Sequence, residues 1–87
     1  MSHDKVTFYL QTADRTRKAQ ITLPRAMYVS DIIKASSGRW FLSRNMDYTV
    51  CNLTRNLQLL AGDSLSEDKV RNGDTLMLQP LALHGAL

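Results

Sequence analysis

The residues of this sequence able to do chemistry are few and scattered. Its one cysteine, Cys51, stands inside the run Tyr48-Thr49-Val50-Cys51-Asn52-Leu53. That setting reads as a buried small hydrophobe rather than a reactive thiol, which needs an electropositive and partly open neighbourhood. The two histidines, His3 and His84, lie near opposite ends with no third ligand at metal spacing, so no metal site is expected. Asp63, Glu67, Asp68 and Asp74 cluster in sequence, but their neighbours read as caps and turns, and paired-carboxylate catalysis needs a cleft that so short a chain rarely forms. There is no phosphate-cradling glycine loop, nucleophile elbow or Cys-x-x-Cys pair. The expectation is therefore no catalytic residue, no cofactor and no enzyme. Two apolar features remain. Trp40, Phe41 and Leu42, flanked by Arg39 and Arg44, are either core beneath a helix or, if exposed, a partner patch of the aromatic-plus-arginine kind found at interface hot spots. The segment Leu81-Ala82-Leu83-His84-Gly85-Ala86-Leu87 places three leucines in seven residues. Those leucines sit poorly in solvent unless they cover the chain's own sheet, an enzyme's groove or a neighbouring copy.

The scaffold that positions these features is small. Eighty-seven residues suit one domain with one core, and a chain of that size hides only about 60% of the surface its unfolded form exposes. One cysteine allows no internal disulfide, and the start of the chain is polar through His3, Asp4 and Lys5. A reducing cytoplasm is the expected compartment. The longest apolar runs are three or four residues, too short to span a membrane. Hydrophobic residues at 44% against 22% charged fit a folded protein rather than a disordered one. The excess of 11 basic over 8 acidic residues gives +3, gathered in the first half at Arg15, Arg17, Lys18, Arg25, Lys34, Arg39 and Arg44. Nucleic-acid binding would want a denser stripe with aromatic platforms beside it, so this asymmetry reads as a solvated face.

Periodicity then places the elements. Val6, Phe8 and Leu10 alternate with Thr7, Tyr9 and Gln11, the pattern of a half-buried strand over Lys5–Gln11. A polar turn near Asp14 leads to a second strand in which Ala19, Ile21 and Leu23 alternate with Lys18, Gln20 and Thr22, ended by Pro24. Tyr28 to Gly38 reads as a helix of two or three turns, with Ser30 as its cap, Asp31 complementing the dipole and Gly38 in the C-terminal left-handed position. Val29, Ile32, Ile33 and Ser36 give it one stripe for the sheet. Tyr48–Leu53 reads as a third strand and Leu57–Leu60 as a short fourth. Ser64–Val70 reads as a capped turn with Leu65 and Val70 pointing inward. Asn72-Gly73-Asp74 is a tight turn, and Thr75–Gln79 a fifth strand stopped by Pro80. The order ββαβββ suits an α+β domain over residues 1–79, a mixed four- to five-stranded sheet with one helix across one face, the last strand pairing in the middle parallel to the first. Residues 80–87 would form an extended C-terminal tail. Tyr9, Lys18, Gln20, Thr49, Asn52 and Gln58 are candidates to meet a partner on an outer sheet face, and periodicity alone does not say which face that is.

This order, and above all Asp63-Ser64-Leu65-Ser66-Glu67-Asp68-Lys69-Val70-Arg71-Asn72-Gly73-Asp74-Thr75-Leu76-Met77-Leu78, resembles the ubiquitin-like β-grasp family. A leucine, a short helical turn, an Asn-Gly-Asp turn and a final strand recur there. The chain is similar to two of its subgroups: bacterial ubiquitin-like modifiers, and the YukD-like proteins of type VII secretion, which act without being conjugated. Sulfur carriers that end in glycine are a third relation, although those finish on an uncovered Gly-Gly.

The tail is where these subgroups part. Leu81-Ala82-Leu83-His84-Gly85 is similar to the leucine-x-leucine-basic-glycine end of ubiquitin, with His84 where a Gly-Gly pair would have its first glycine and with Ala86-Leu87 following. The resemblance implies processing between Gly85 and Ala86 by a JAMM-type zinc peptidase. An E1-like activating enzyme would then adenylate the Gly85 carboxylate, and an E2-like conjugating enzyme would pass it to targets through an isopeptide bond or its equivalent. Leu81, Leu83 and His84 would be the stretch those enzymes recognise. Residues Pro80 to Gly85 reach about 20 Å when extended, at about 3.3 Å each, enough to enter a partner's active site. Glycine at the reacting end carries no side chain to clash there. Candidate acceptor lysines are Lys5, Lys18, Lys34 and Lys69. Related bacterial operons imply a role in antiphage defence. The alternative is a non-covalent adaptor of the YukD kind, or a self-assembling ubiquitin-like protein.

Overall fold

The computed structural model describes residues 4–40 and 47–81. Strands β1 (Lys5–Thr12) and β2 (Lys18–Pro24) form a hairpin, followed by helix α1 (Val29–Arg39) and strands β3 (Asp47–Asn52), β4 (Leu57–Leu59) and β5 (Thr75–Leu81). The five strands make one sheet in the order β2-β1-β5-β3-β4. β5 lies in the centre, parallel to β1 and antiparallel to β3. The expected ββαβββ α+β architecture, with its last strand in the middle, is what the chain adopts.

Alternation in β1 explains the core. Val6, Phe8 and Leu10 are sealed on the helix side, where they meet Leu76 and Leu78 of β5, Val50 of β3, Leu59 of β4, and Val29 and Ile32 of α1. Leu65 and Val70 close the far end, fully buried as their spacing predicted. Burying a side chain of Phe8's size contributes about 1.5–3 kcal/mol by area alone. The hairpin loop is held by Asp14, whose carboxylate accepts the Thr16 N–H at 3.0 Å and the Thr12 and Thr16 hydroxyls at 2.7 Å. Gly73, at φ +88°, makes the turn into β5. Its N–H donates to the Thr7 carbonyl at 2.9 Å, and the Asn72 side chain accepts the Thr7 N–H at 2.8 Å, so this turn is pinned to β1.

Several local expectations are corrected. The helix cap is Tyr28 rather than Ser30. The Asp31 carboxylate accepts the Tyr28 N–H at 3.1 Å, while the Val29 and Ser30 N–H groups donate to the carbonyls of Asp63 and Ala61. The loop after β4 thus satisfies the donors of the first two helical residues, and Ser30 lies inside the helix rather than at its cap. Gly38 lies within the helix and not in a left-handed cap, and Trp40 takes the C-cap at φ −102°. Leu60 falls outside β4 and is exposed.

Pro80 does not stop β5, which continues to Leu81 opposite Tyr48 and Asp47. The reason is directional. The Leu78 carbonyl accepts the Ala13 N–H from the β1 side, so two residues on the Pro80 nitrogen faces the same side, above the end of β1. No ladder donor is lost there.

Candidate partner-docking site

β2 is an edge strand, and its inward side chains Ala19, Ile21 and Leu23 are only half buried, unlike their counterparts on β1. The cause is the helix. The face it turns toward β2 carries Ala35 and Ser36, which are too short to roof that strand. A groove of about 240 Å³ is left between them, floored by Ile21, Leu23, Met27 and Ile32 and closed at the helix end by Trp40, with Arg39 and Asp31 on its rims. A volume below the roughly 300 Å³ where small-molecule pockets begin suits side chains laid along a peptide better than a free ligand.

The backbone beside this groove is equally unpartnered. The Thr12 N–H bonds to the Arg17 carbonyl and the Arg25 N–H to the Asp4 carbonyl, so odd-numbered residues of β2 face β1. Lys18, Gln20 and Thr22 consequently present their N–H and C=O groups to the open edge. Among the described residues, no strand pairs with it.

Of the aromatic and arginine patch, Arg39 is exposed and Trp40 half buried on the core, both at the groove. Phe41 and Arg44 lie outside the described residues, as do Leu83, His84, Gly85 and Ala86. Leu81 is the last residue of β5. The four lysines differ. Lys5, Lys18 and Lys34 are exposed, and Lys18 places its ammonium 5.7 Å from the centre of the Tyr9 ring. Lys69 is half buried, pairs with Asp63 at 3.8 Å and gives its carbonyl to Asn52. It is the most tied of the four.

The outer sheet face holds Tyr9, Lys18, Gln20, Thr49 and Gln58 as expected, with the Gln58 amide bonded to the Thr49 hydroxyl. Asn52 is removed from it. Its side chain is fully buried on the helix side, where its amide donates to the Asp74 carboxylate at 2.8 Å and to the Lys69 carbonyl at 3.0 Å. Cys51 takes the outward phase instead, opposite Met77 and Gln58. It is half exposed rather than buried. The carboxylates serve local structure: Asp74 also accepts the Arg71 N–H at 2.9 Å, Asp63 the Leu60 N–H at 2.9 Å, and Asp68 the Ser66 hydroxyl at 2.5 Å, which holds the Asp68 carboxyl below its ordinary range. Arg25, which carries no motif in the sequence, ties two segments together by donating to the Leu65 carbonyl at 2.8 Å and the Val70 carbonyl at 2.9 Å.

No protein-family model matches the chain, and no curated protein sequence matches it. Its likeness is to solved structures. A designed protein based on ubiquitin superposes with a TM-score of 0.73 at 12% identity, over 93% of this chain and 94% of that one. The fold is the ubiquitin-like β-grasp. The C-terminal ubiquitin-like domain of mouse tubulin-specific chaperone e superposes at 0.69 with 17% identity, over 94% and 92% of the two chains. The ubiquitin-like domain of Plasmodium falciparum Dsk2 gives 0.69 at 13% identity, over 88% of this chain and 99% of its own. Identities this low speak for the fold alone. No described helix is long and apolar enough to cross a membrane.

Proposed function

We propose that this chain is a bacterial ubiquitin-like protein modifier, a cytoplasmic cargo that supplies no catalytic group. In this reading a JAMM-type peptidase directs a zinc-bound water at the Gly85 carbonyl and releases Ala86-Leu87. An E1-like enzyme adenylates the exposed carboxylate, which passes as a thioester to an E2-like enzyme and then to an amine on a target. The observation that carries the reading is the course of β5. It is the central strand, gripped by β1 through Leu78 and by β3 through Leu81, so Leu83 and Gly85 follow two and four residues beyond a rigid point of the body. A reacting end delivered from a fixed origin lowers the ordering cost of threading it into a partner enzyme.

The test is purification of the tagged chain under denaturing conditions from its own host, followed by fragment mass spectrometry. The modifier reading expects branched peptides in which Gly85 is joined to an amine, absent when Gly85→Glu is expressed. Tagged protein free of such peptides contradicts it. The groove between β2 and α1 favours a second reading, the non-covalent adaptor. That protein would keep full activity in Gly85→Glu and lose it when the groove is filled.

A further inference from the structure

Among the described residues, the β2 edge and the groove beside it form one site with two unmet needs. The outward N–H and C=O groups of Lys18, Gln20 and Thr22 can accept a strand, and the hollow over Ile21 and Leu23 can accept alternate side chains of that strand. The sequence beyond β5, Ala82-Leu83-His84-Gly85-Ala86-Leu87, carries leucines at 83 and 87, an even spacing that puts both on one side when such a segment is drawn out as a strand. We infer that the segment following β5 in one copy adds as a strand to the β2 edge of a second copy, seating its leucines in the β2–α1 groove.

Reach decides that the donor is another molecule. In the sheet order, a strand added outside β2 lies three spacings from β5, about 14 Å at about 4.8 Å each. Lys18 is level with Met77 through their shared partner Gln11, so it stands four residues, about 13 Å, behind Leu81 along the strand. The straight path is about 19 Å, before any detour round the hairpin loop, whereas Leu83 lies within about 7 Å of Leu81. A molecule cannot place Leu83 in its own groove. Because donor and acceptor surfaces differ, each copy retains a free groove at one end and a free segment at the other, and the contact propagates head to tail.

Sedimentation velocity of the purified full chain over a concentration series tests this, with two variants that each remove one half of the contact. Leu83→Asp spoils the donor. Ala35→Arg fills the acceptor from an exposed helix position, at little cost to the helix because arginine is a good helix former. Gln20→Pro is a second acceptor variant that deletes an outward N–H without touching the β1 ladder. The expected result is wild type that sediments as dimer and longer species, and single variants that sediment as monomer. A mixture of Leu83→Asp with Ala35→Arg, which restores one contact, should stop at dimer. Monomeric wild type throughout overturns the inference. Assembly that survives the variants, or a mixture that stays monomeric, also overturns it. Purified protein suffices, so failure of conjugation leaves this outcome readable.

Discussion

Replacing Asn52 by Leu keeps the buried volume nearly constant while removing every hydrogen bond the side chain makes. Asn52 is fully buried; its amide donates to the Asp74 carboxylate at 2.8 Å and the Lys69 carbonyl at 3.0 Å, and its side-chain oxygen accepts the Arg55 N–H at 3.3 Å. A hydrogen bond to a charged group contributes about 1.5–3 kcal/mol, and an orphaned buried carbonyl costs about 1–3 kcal/mol. Asp74 retains the Arg71 N–H, which keeps the loss toward the lower end of the sum. The expected destabilisation is about 3 kcal/mol, a large part of the roughly 5–15 kcal/mol typical of a domain. Urea unfolding followed by tryptophan fluorescence reads it as a lower midpoint at unchanged slope. A loss under about 1 kcal/mol, or a gain, would refute the reasoning, since it would mean that burial rather than the polar network holds the turn before β5 to β3.

Three further outcomes follow from the same structure. Phe8→Ala, emptying the centre of the core, should cost about 3–5 kcal/mol in the same unfolding assay, and a cost near 1 kcal/mol would show that the core collapses round the gap. Gly73→Ala meets no neighbouring atom but must hold φ +88°, so it should lose about 1–2 kcal/mol to backbone strain alone; a neutral result would mean that the turn shifts freely. Asp14 is held at about 2, below its usual 3.8, chiefly by the Thr16 N–H and then by the Thr12 and Thr16 hydroxyls. The unfolded chain therefore binds a proton between about pH 4 and pH 2 that the folded chain refuses, and stability falls across that window as pH drops. Asp14→Asn should flatten this part of the stability profile, and an unchanged profile would contradict the loop geometry.

What was legible in the sequence was whatever rests on a repeated pattern or an obligatory residue. Val6, Phe8 and Leu10 declare a one-sided strand, Asn72-Gly73-Asp74 a turn needing a positive φ, and Leu65 and Val70 two inward anchors. The misplacements have physical reasons. Tyr48–Leu53 has no clean alternation, so the phase of Cys51 and Asn52 was open; the buried demands of Asp74 and the Lys69 carbonyl draw Asn52 inward and turn Cys51 out. Ser30 looks like a cap in isolation, but the carbonyls of Asp63 and Ala61, distant in sequence, hold the Val29 and Ser30 N–H groups, so the helix starts two residues earlier and Ser30 falls inside it. Pro80 stops strands only where its missing N–H faces a partner, and that depends on where β1 ends. The groove left no trace because it arises from the short reach of Ala35 and Ser36 over a strand whose own alternation is ordinary.

The central claim is that Gly85 is the reacting end of a modifier, and the intact mass of the unconjugated pool tests it most directly. The chain is expressed with the genes encoded beside it and measured beside Gly85→Glu. The modifier reading predicts that wild type loses Ala86-Leu87 and forms heavier adducts, and that Gly85→Glu forms none. A wild-type mass that keeps Ala86-Leu87, free of adducts and with full activity in Gly85→Glu, would contradict it.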